Sequence, residues 1–148
     1  MRTTIDSSVK LDVKDLKKLN PKLTIDIQGL FEIEIENTIF FREPSLALLE
    51  LAVACHTWNF KDKWEYFTLE HDKREGPILA FIPVEGEQWR MYSSWQQFEM
   101  ENTVHVGELR QSVETFLRDL DKQLQSLYDF TIEEFMKGKR RRRTSFLF

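Results

Sequence analysis

A chain of 148 residues with five glycines and four prolines has room for one hydrophobic core, which excludes two full domains and a fibrous or low-complexity protein. The net charge of −4 conceals two opposed parts: residues 1–136 hold 15 basic against 25 acidic side chains, net −10, and Lys137, Lys139 and Arg140 to Arg143 hold the other six basic ones. A body of that sign repels polyanions, and a single cysteine, Cys55, excludes an internal disulfide framework.

Isolated cysteine is commonest in reducing compartments. The first residues lack the apolar stretch of a signal peptide, and the longest apolar run, Leu46 to Cys55, is broken by Glu50 and too short for a bilayer. The expected location is cytoplasmic, with no membrane partner.

In chain order, residues 1–22 read as a loosely attached lead-in. Within it, Val13, Leu16 and Leu19 predict a short helix from Asp12 to Leu19, stopped by Asn20-Pro21. From Leu23 to Ile35 the period is two: Leu23, Ile25, Ile27, Phe31, Ile33 and Ile35 alternate with polar residues, as in a strand with one wet face. Unbroken parity across Gly29 requires either a three-residue loop from Gln28 to Leu30 or one long strand bulged at Gly29. After Glu36-Asn37-Thr38 the chain turns back through Ile39, Phe40 and Phe41 as a hairpin.

Pro44 suits the first position of a helix running to about Trp58. That helix is apolar almost all round and calls for cover on more than one side. Trp64 to Leu69, Ile78 to Val84 and Gln88 to Trp95 read as strands, the last two joined at Glu85-Gly86-Glu87. Leu109, Val113, Phe116, Leu117, Leu120, Leu124, Leu127 and Tyr128 recur at helical steps and define a long amphipathic helix. Thr131-Ile132-Glu133-Glu134 fits a capping box, where a short helix restarts. The expected class is α+β: an antiparallel sheet of about five strands, one buried helix and one long C-terminal amphipathic helix, in a single domain over residues 1–136. Residues 137–148 form a flexible basic tail.

Common enzyme signatures are absent. No Gly-rich phosphate loop, nucleophile elbow, zinc helix or cysteine pair occurs, and His56, His71 and His105 are widely spaced. Neither a cofactor nor a metal site is expected. Cys55 and His56 adjoin, but neighbours on a helix point about 100° apart, so adjacency does not activate the thiol. Glu50, alone on the apolar helix, belongs at its margin or else needs a partner such as Arg42, Arg90 or an indole N–H.

Three surface features remain. Asp26, Glu32, Glu34 and Glu36 form an acidic row that suits either a landing strip for a basic protein or the charged face of an edge strand. Trp89, Tyr92 and Trp95 are interface anchors if exposed and core residues if not. Lys139, Arg140, Arg141, Arg142 and Arg143 suit phosphate binding, and Phe146-Leu147-Phe148 suits an apolar groove.

The strand Leu30-Phe31-Glu32-Ile33-Glu34-Ile35, the turn into Phe40-Phe41-Arg42-Glu43-Pro44, the Leu-rich helix after it and the segment Trp89-Arg90-Met91-Tyr92-Ser93-Ser94-Trp95-Gln96 resemble small immunity-type proteins of Gram-positive bacteria. The resemblance covers roughly residues 23–130 and transfers no site residues. It implies a cytoplasmic protein that protects the producing cell by binding a secreted or contact-delivered toxin, often a basic nuclease. The expected function is therefore non-catalytic neutralisation of a basic protein partner, with Asp26, Glu32, Glu34, Glu36, Trp89 and Trp95 as the binding residues. Two other classes stay open: a nucleic-acid-associated regulator acting through the arginine tail, and an enzyme using Glu43, Glu50 or His71.

Because the tail carries charge but no periodic apolar face, truncation after Met136 is expected to leave a folded chain with nearly unchanged melting temperature by circular dichroism. A large loss of stability would assign Phe146-Leu147-Phe148 to the core.

Overall fold

Strand alternation and helical periodicity each demand a partner surface, and the computed structural model, which describes residues 1–68 and 73–139, shows how these demands are met. The chain forms β1 (Arg2–Ile5), α1 (Val13–Lys18), α2 (Leu23–Asp26), β2 (Gln28–Ile35), β3 (Thr38–Ala47), α3 (Leu48–His56), β4 (Trp64–Tyr66), β5 (Leu79–Glu85), β6 (Gln88–Tyr92), β7 (Val104–His105), α4 (Val106–Tyr128) and α5 (Ile132–Lys137). The α+β class with antiparallel pairing and a long late helix is present. The expected single sheet of about five strands is instead two sheets, one ordered β1-β2-β3 and the other β4-β5-β6-β7.

The extra strands are short, and their sequences are too brief for a period to show. β1 lies in the segment expected to be a loose lead-in, yet it pairs antiparallel with β2 from Arg2 opposite Glu32 to Ile5 opposite Gly29. Two features hold it. The side-chain amide of Gln123 on α4 donates to the Thr3 carbonyl at 2.9 Å and accepts from the Ile5 N–H at 2.7 Å. At Gly29, a Cβ would sit 2.1 Å from the Thr4 carbonyl oxygen and 2.8 Å from the Ile5 Cα, so only glycine admits β1 at this separation.

Leu23 to Asp26 is a single helical turn, not the start of a strand. Of the six residues expected inward, Leu23, Ile27, Phe31 and Ile33 are buried, while Ile25 and Ile35 are only half-buried. Leu23 and Ile27, however, are four apart and satisfy a helical turn as well as a period of two. The strand proper begins at Gln28, so neither a loop from Gln28 to Leu30 nor one long strand bulged at Gly29 is formed; the register with β3 does slip between Gly29 and Phe31, but the extra residue is in β3. Ile35 opposes Thr38 across Glu36-Asn37. Both loop residues have positive φ, 51° and 66°, as a two-residue type I′ turn requires.

Pro44 does not open the helix. It lies within β3, where Glu43 faces Phe31 and Leu46 faces Gly29, leaving Pro44 and Ser45 at the slip opposite Leu30. An interrupted ladder on an edge strand is where a missing N–H costs no hydrogen bond. The helix begins instead at Leu48, whose N–H donates to the Ile27 carbonyl at 3.1 Å. Leu48, Leu49, Leu51, Ala52 and Cys55 of α3 are buried against β2, α2, α4 and α5, each large side chain contributing roughly 1.5–3 kcal/mol.

In the second sheet, β4 stops at Tyr66 and β6 at Tyr92, both earlier than expected, and Leu69 lies outside the described residues. Trp64, Phe81 and Trp89 face inward onto Trp58 from the loop after α3. The Trp58–Trp89 centroids are 5.3 Å apart and those of Trp64–Phe81 4.7 Å. Along α4, Leu109, Val113, Phe116, Leu120 and Leu124 are buried, and the helix touches β1, β6, β7 and α3. Leu127, expected on the apolar stripe, is exposed. The capping box of Thr131 and Glu134 is formed at the start of α5.

Gly29→Ala is expected to lower stability by about 2–3 kcal/mol, because β1 must lift off β2 or the backbone must shift; urea unfolding measures it. Burial also pushes the Cys55 thiol well above its ordinary 9.0, and it pushes up the Tyr66 phenol. The folded thiol keeps a proton that the unfolded chain releases, so its contribution is complete below pH 9.0 and lost as pH rises beyond it. The unfolding free energy from urea titrations should therefore fall from that pH upward, by at most about 1.4 kcal/mol per pH unit for each such group. Cys55→Ala should flatten the first part of that slope.

Candidate functional site

The residues with chemistry in the sequence are mostly used up by the fold. Cys55 is buried and burial holds its thiol protonated, while His56 beside it is exposed; the two do not form a nucleophile and base. Glu50 is half-buried and its Oε1 accepts a hydrogen bond from the Tyr66 hydroxyl at 2.7 Å. Its partner is thus a phenol, not Arg42, Arg90 or an indole, and the Trp64 indole N–H is given to the Ala54 carbonyl at 3.1 Å. Glu43 accepts from the Ser45 N–H at 3.4 Å, and His71 lies outside the described residues. Among the described residues no group of three His, Cys, Asp or Glu is arranged to hold a metal.

The acidic row is dispersed. Asp26 sits on α2, 3.9 Å from the Lys22 ammonium one turn back. Glu32 is on β2, which is the central strand of its sheet and not an edge. Its carboxylate lies 3.7 Å from Arg2 on β1 and 3.8 Å from Arg42 on β3, an ion-pair ladder across three strands. Glu34 also pairs with Arg2. Such exposed pairs contribute at most about 1 kcal/mol each, but they cancel the charge a landing strip needs. Glu36, in the β2–β3 turn, accepts from the Asn102 side chain at 3.3 Å.

The aromatic candidates separate as well. Trp89 is 3% exposed and belongs to the core, because β6 turns Trp89, Met91 and the following Ser93 inward. Trp95, past the end of the strand, is 39% exposed and stacks on Phe41 with centroids 6.5 Å apart. Tyr92 is exposed to the same extent. In the tail, the Lys139 N–H closes the end of α5 on the Glu134 carbonyl at 3.1 Å. Arg140, Arg141, Arg142 and Arg143, with Phe146-Leu147-Phe148, lie outside the described residues.

What the linear reading missed is a cleft. The end of β2, the connection from β6 to β7 and the first turn of α4 enclose about 310 Å³. Ile33, Met91, Met100 and Leu109 form its apolar floor, and Glu34, Glu36 and Glu108 stand in its lining. A second hollow of about 300 Å³ shares Ile35, Glu36, Met100 and Asn102 with the first and adds Phe98, Glu99 and Glu101. Among the described residues no lysine or arginine lines either one, although Met1 lines the first. Met100 is held in place by the Met91 N–H, 3.4 Å from its sulfur, and Phe98 rests edge-on against Phe40 at 5.5 Å.

One sequence signal pointed here: Phe98-Glu99-Met100-Glu101 alternates apolar and acidic residues in a stretch otherwise without assignment. Its meaning depends on Glu36 and Glu108, which only the fold brings beside it. An apolar floor with a carboxylate rim suits a long cationic side chain, whose stem is apolar and whose head is charged. Methionines let such a floor adapt to the shape of what enters.

Residues 1–126 match the model of a family described as a domain of unknown function (DUF7878). No curated protein and no solved structure matches the chain. The matched span takes in both sheets, the cleft and nearly all of α4, and stops short of α5 and the basic tail. Among the described residues no helix is long and apolar enough to cross a membrane. Since the match runs through most of the chain and every strand of both sheets, the protein belongs to this family of domains of unknown function, DUF7878.

Proposed function

We propose that the protein is a non-catalytic binding protein that takes a basic protein partner, one copy to one, at the acidic cleft between the two sheets. The observation that carries this reading is the cleft itself: Glu34, Glu36, Glu99, Glu101 and Glu108 around an apolar floor, with no lysine or arginine among the described residues of the lining. Among the described residues, Glu36, Glu99, Glu101 and Glu108 have no ion-pair partner, unlike Glu32 and Glu34. The net −10 of residues 1–136 adds a long-range field of the same sign, which speeds encounter with a cation-rich surface. Durable affinity comes from apolar contact with Met91, Met100 and Phe98, where an inserted lysine or arginine stem loses water.

The resemblance to immunity-type proteins names the biological form of this reading: inside the producing cell, the partner is a basic toxin domain that binding neutralises. The binding residues of this proposal differ from those expected from sequence. Glu32 is matched by two arginines, Asp26 lies on a separate helix and Trp89 is in the core, so Glu99, Glu101 and Glu108 replace them, with Glu34, Glu36 and the exposed Trp95 retained as candidates.

The test is co-expression with the toxic domain of the adjacent gene product, followed by size-exclusion chromatography and a growth assay. A one-to-one complex and protection are expected. Reversing Glu36, Glu99, Glu101 and Glu108 to lysine should slow association about tenfold or more at low salt and reduce its salt dependence, with the circular dichroism spectrum unchanged. An unaltered chain that neither binds nor protects sinks the immunity reading. Full protection by the fourfold variant moves the binding face away from the cleft.

A further inference from the structure

The start of α4 forms one wall of the cleft and is capped in an unusual way. A helix leaves its first N–H groups without intrahelical acceptors, and serine, threonine, aspartate or asparagine ordinarily supplies one. Here the N-cap is His105. Its Nδ1 accepts a hydrogen bond from the Gly107 N–H at 2.9 Å, and its Nε2 lies 2.7 Å from the Glu87 carboxylate. Gly107 admits the ring over the helix start, since a Cβ there would meet His105 Nδ1 at 3.1 Å. The Glu87 carbonyl also accepts the Val106 N–H at 2.8 Å. The turn between β5 and β6 therefore closes two N–H groups of the helix, one directly and one through the imidazole.

These two contacts specify a protonation state. A nitrogen that accepts from an N–H carries no proton, so Nδ1 is bare and the ring's one hydrogen sits on Nε2, donated to Glu87. Adding a proton to Nδ1 places donor against donor, and the ring must turn away from Gly107. The contact with Glu87 survives as an ion pair, so the cap is lost while the pair remains. Glu85 and Glu87 at the β5–β6 turn, Arg90 on the exposed face of β6, and Glu108 and Arg110 near the start of α4 are charged groups on the elements around it.

We infer that His105 is a pH-operated cap: neutral, it closes the first turn of α4; protonated, it releases the Gly107 N–H and loosens the wall that carries Glu108 and Leu109. The titration itself is independent of the binding reading above, and only its use to open or close the cleft rests on that reading.

The experiment is a proton–nitrogen NMR titration of the full chain from pH 8 to pH 5, following the His105 ring and the Gly107 amide. The Gly107 amide proton is expected to move upfield with the same midpoint as the ring, as its hydrogen bond is lost. His105→Asn keeps an N-cap acceptor that does not titrate, and should abolish the Gly107 response while leaving the helix intact. Glu87→Gln keeps an acceptor beside Nε2 and leaves the Nδ1 cap in place, so the Gly107 response should persist. The inference is overturned if the Gly107 amide does not follow the ring, or if its pH response persists in His105→Asn. Loss of partner binding at low pH in the wild type but not in His105→Asn would extend the switch to the cleft. Equal binding at both pH values, with the Gly107 response intact, would remove the cleft's dependence on it and leave the cap.

Discussion

A helix that is apolar on nearly every side has to be covered on nearly every side, and α3 imposes that constraint on the rest of the chain. Leu48, Leu49, Leu51, Ala52 and Cys55 leave at most 3% of their surface to water. One sheet alone cannot achieve this, because a sheet covers one stripe of a helix. The structure places β2 and α2 on one part of α3 and α4 and α5 on others, while the aromatic cluster of the second sheet closes over its C-terminal end, where the Trp64 indole reaches the Ala54 carbonyl. Two small sheets joined by α4 follow from that need more directly than one larger sheet.

Joining two sheets around a helix also creates a seam, and the seam is where the cleft lies. The end of β2 comes from the first sheet, Met91 from the second, and Leu109 from the helix that bridges them. The segment from Phe98 to Thr103 crosses the gap without regular structure, anchored by Phe98 on Phe40 and by Met100 beside the Met91 N–H. Anchors of this kind bury the apolar half of an alternating segment and leave its glutamates facing outward. The acidity of the cleft is thus a by-product of how a polar–apolar alternation is accommodated where no strand partner is available.

Charge on this surface is sorted by pairing, not by composition. Arg2, Glu32 and Arg42 form a ladder across β1, β2 and β3 that holds the central strand's carboxylate between two cations. A row of glutamates on a middle strand is read differently from the same row on an edge: it has neighbours on both sides, and basic residues placed there neutralise it. Glu36, Glu99, Glu101 and Glu108 lie at turns, crossings and a helix start, where no lysine or arginine among the described residues pairs with them. The same residue type therefore serves cohesion in the sheet and leaves a net field at the seam.

The long helix α4, the hairpin at Glu36-Asn37, the buried character of Leu48 to Cys55 and the capping box at Thr131 were determined by local pattern. Each rests on contacts within a few residues, where periodicity and side-chain capping act directly. The class of fold followed from them. Pattern did not distinguish a helical turn from a strand at Leu23 to Asp26, since Leu23 and Ile27 fit both spacings, and it placed Pro44 in a helix because an edge-strand bulge satisfies the missing N–H equally well. β1 was invisible because a four-residue strand has no measurable period; its place depends on Gly29 and on Gln123, far along the chain. The cleft was beyond any local reading. Its glutamates come from the β2–β3 hairpin, the crossing after β6 and the start of α4, and only the packing of two sheets around one apolar helix brings those carboxylates to a common apolar floor.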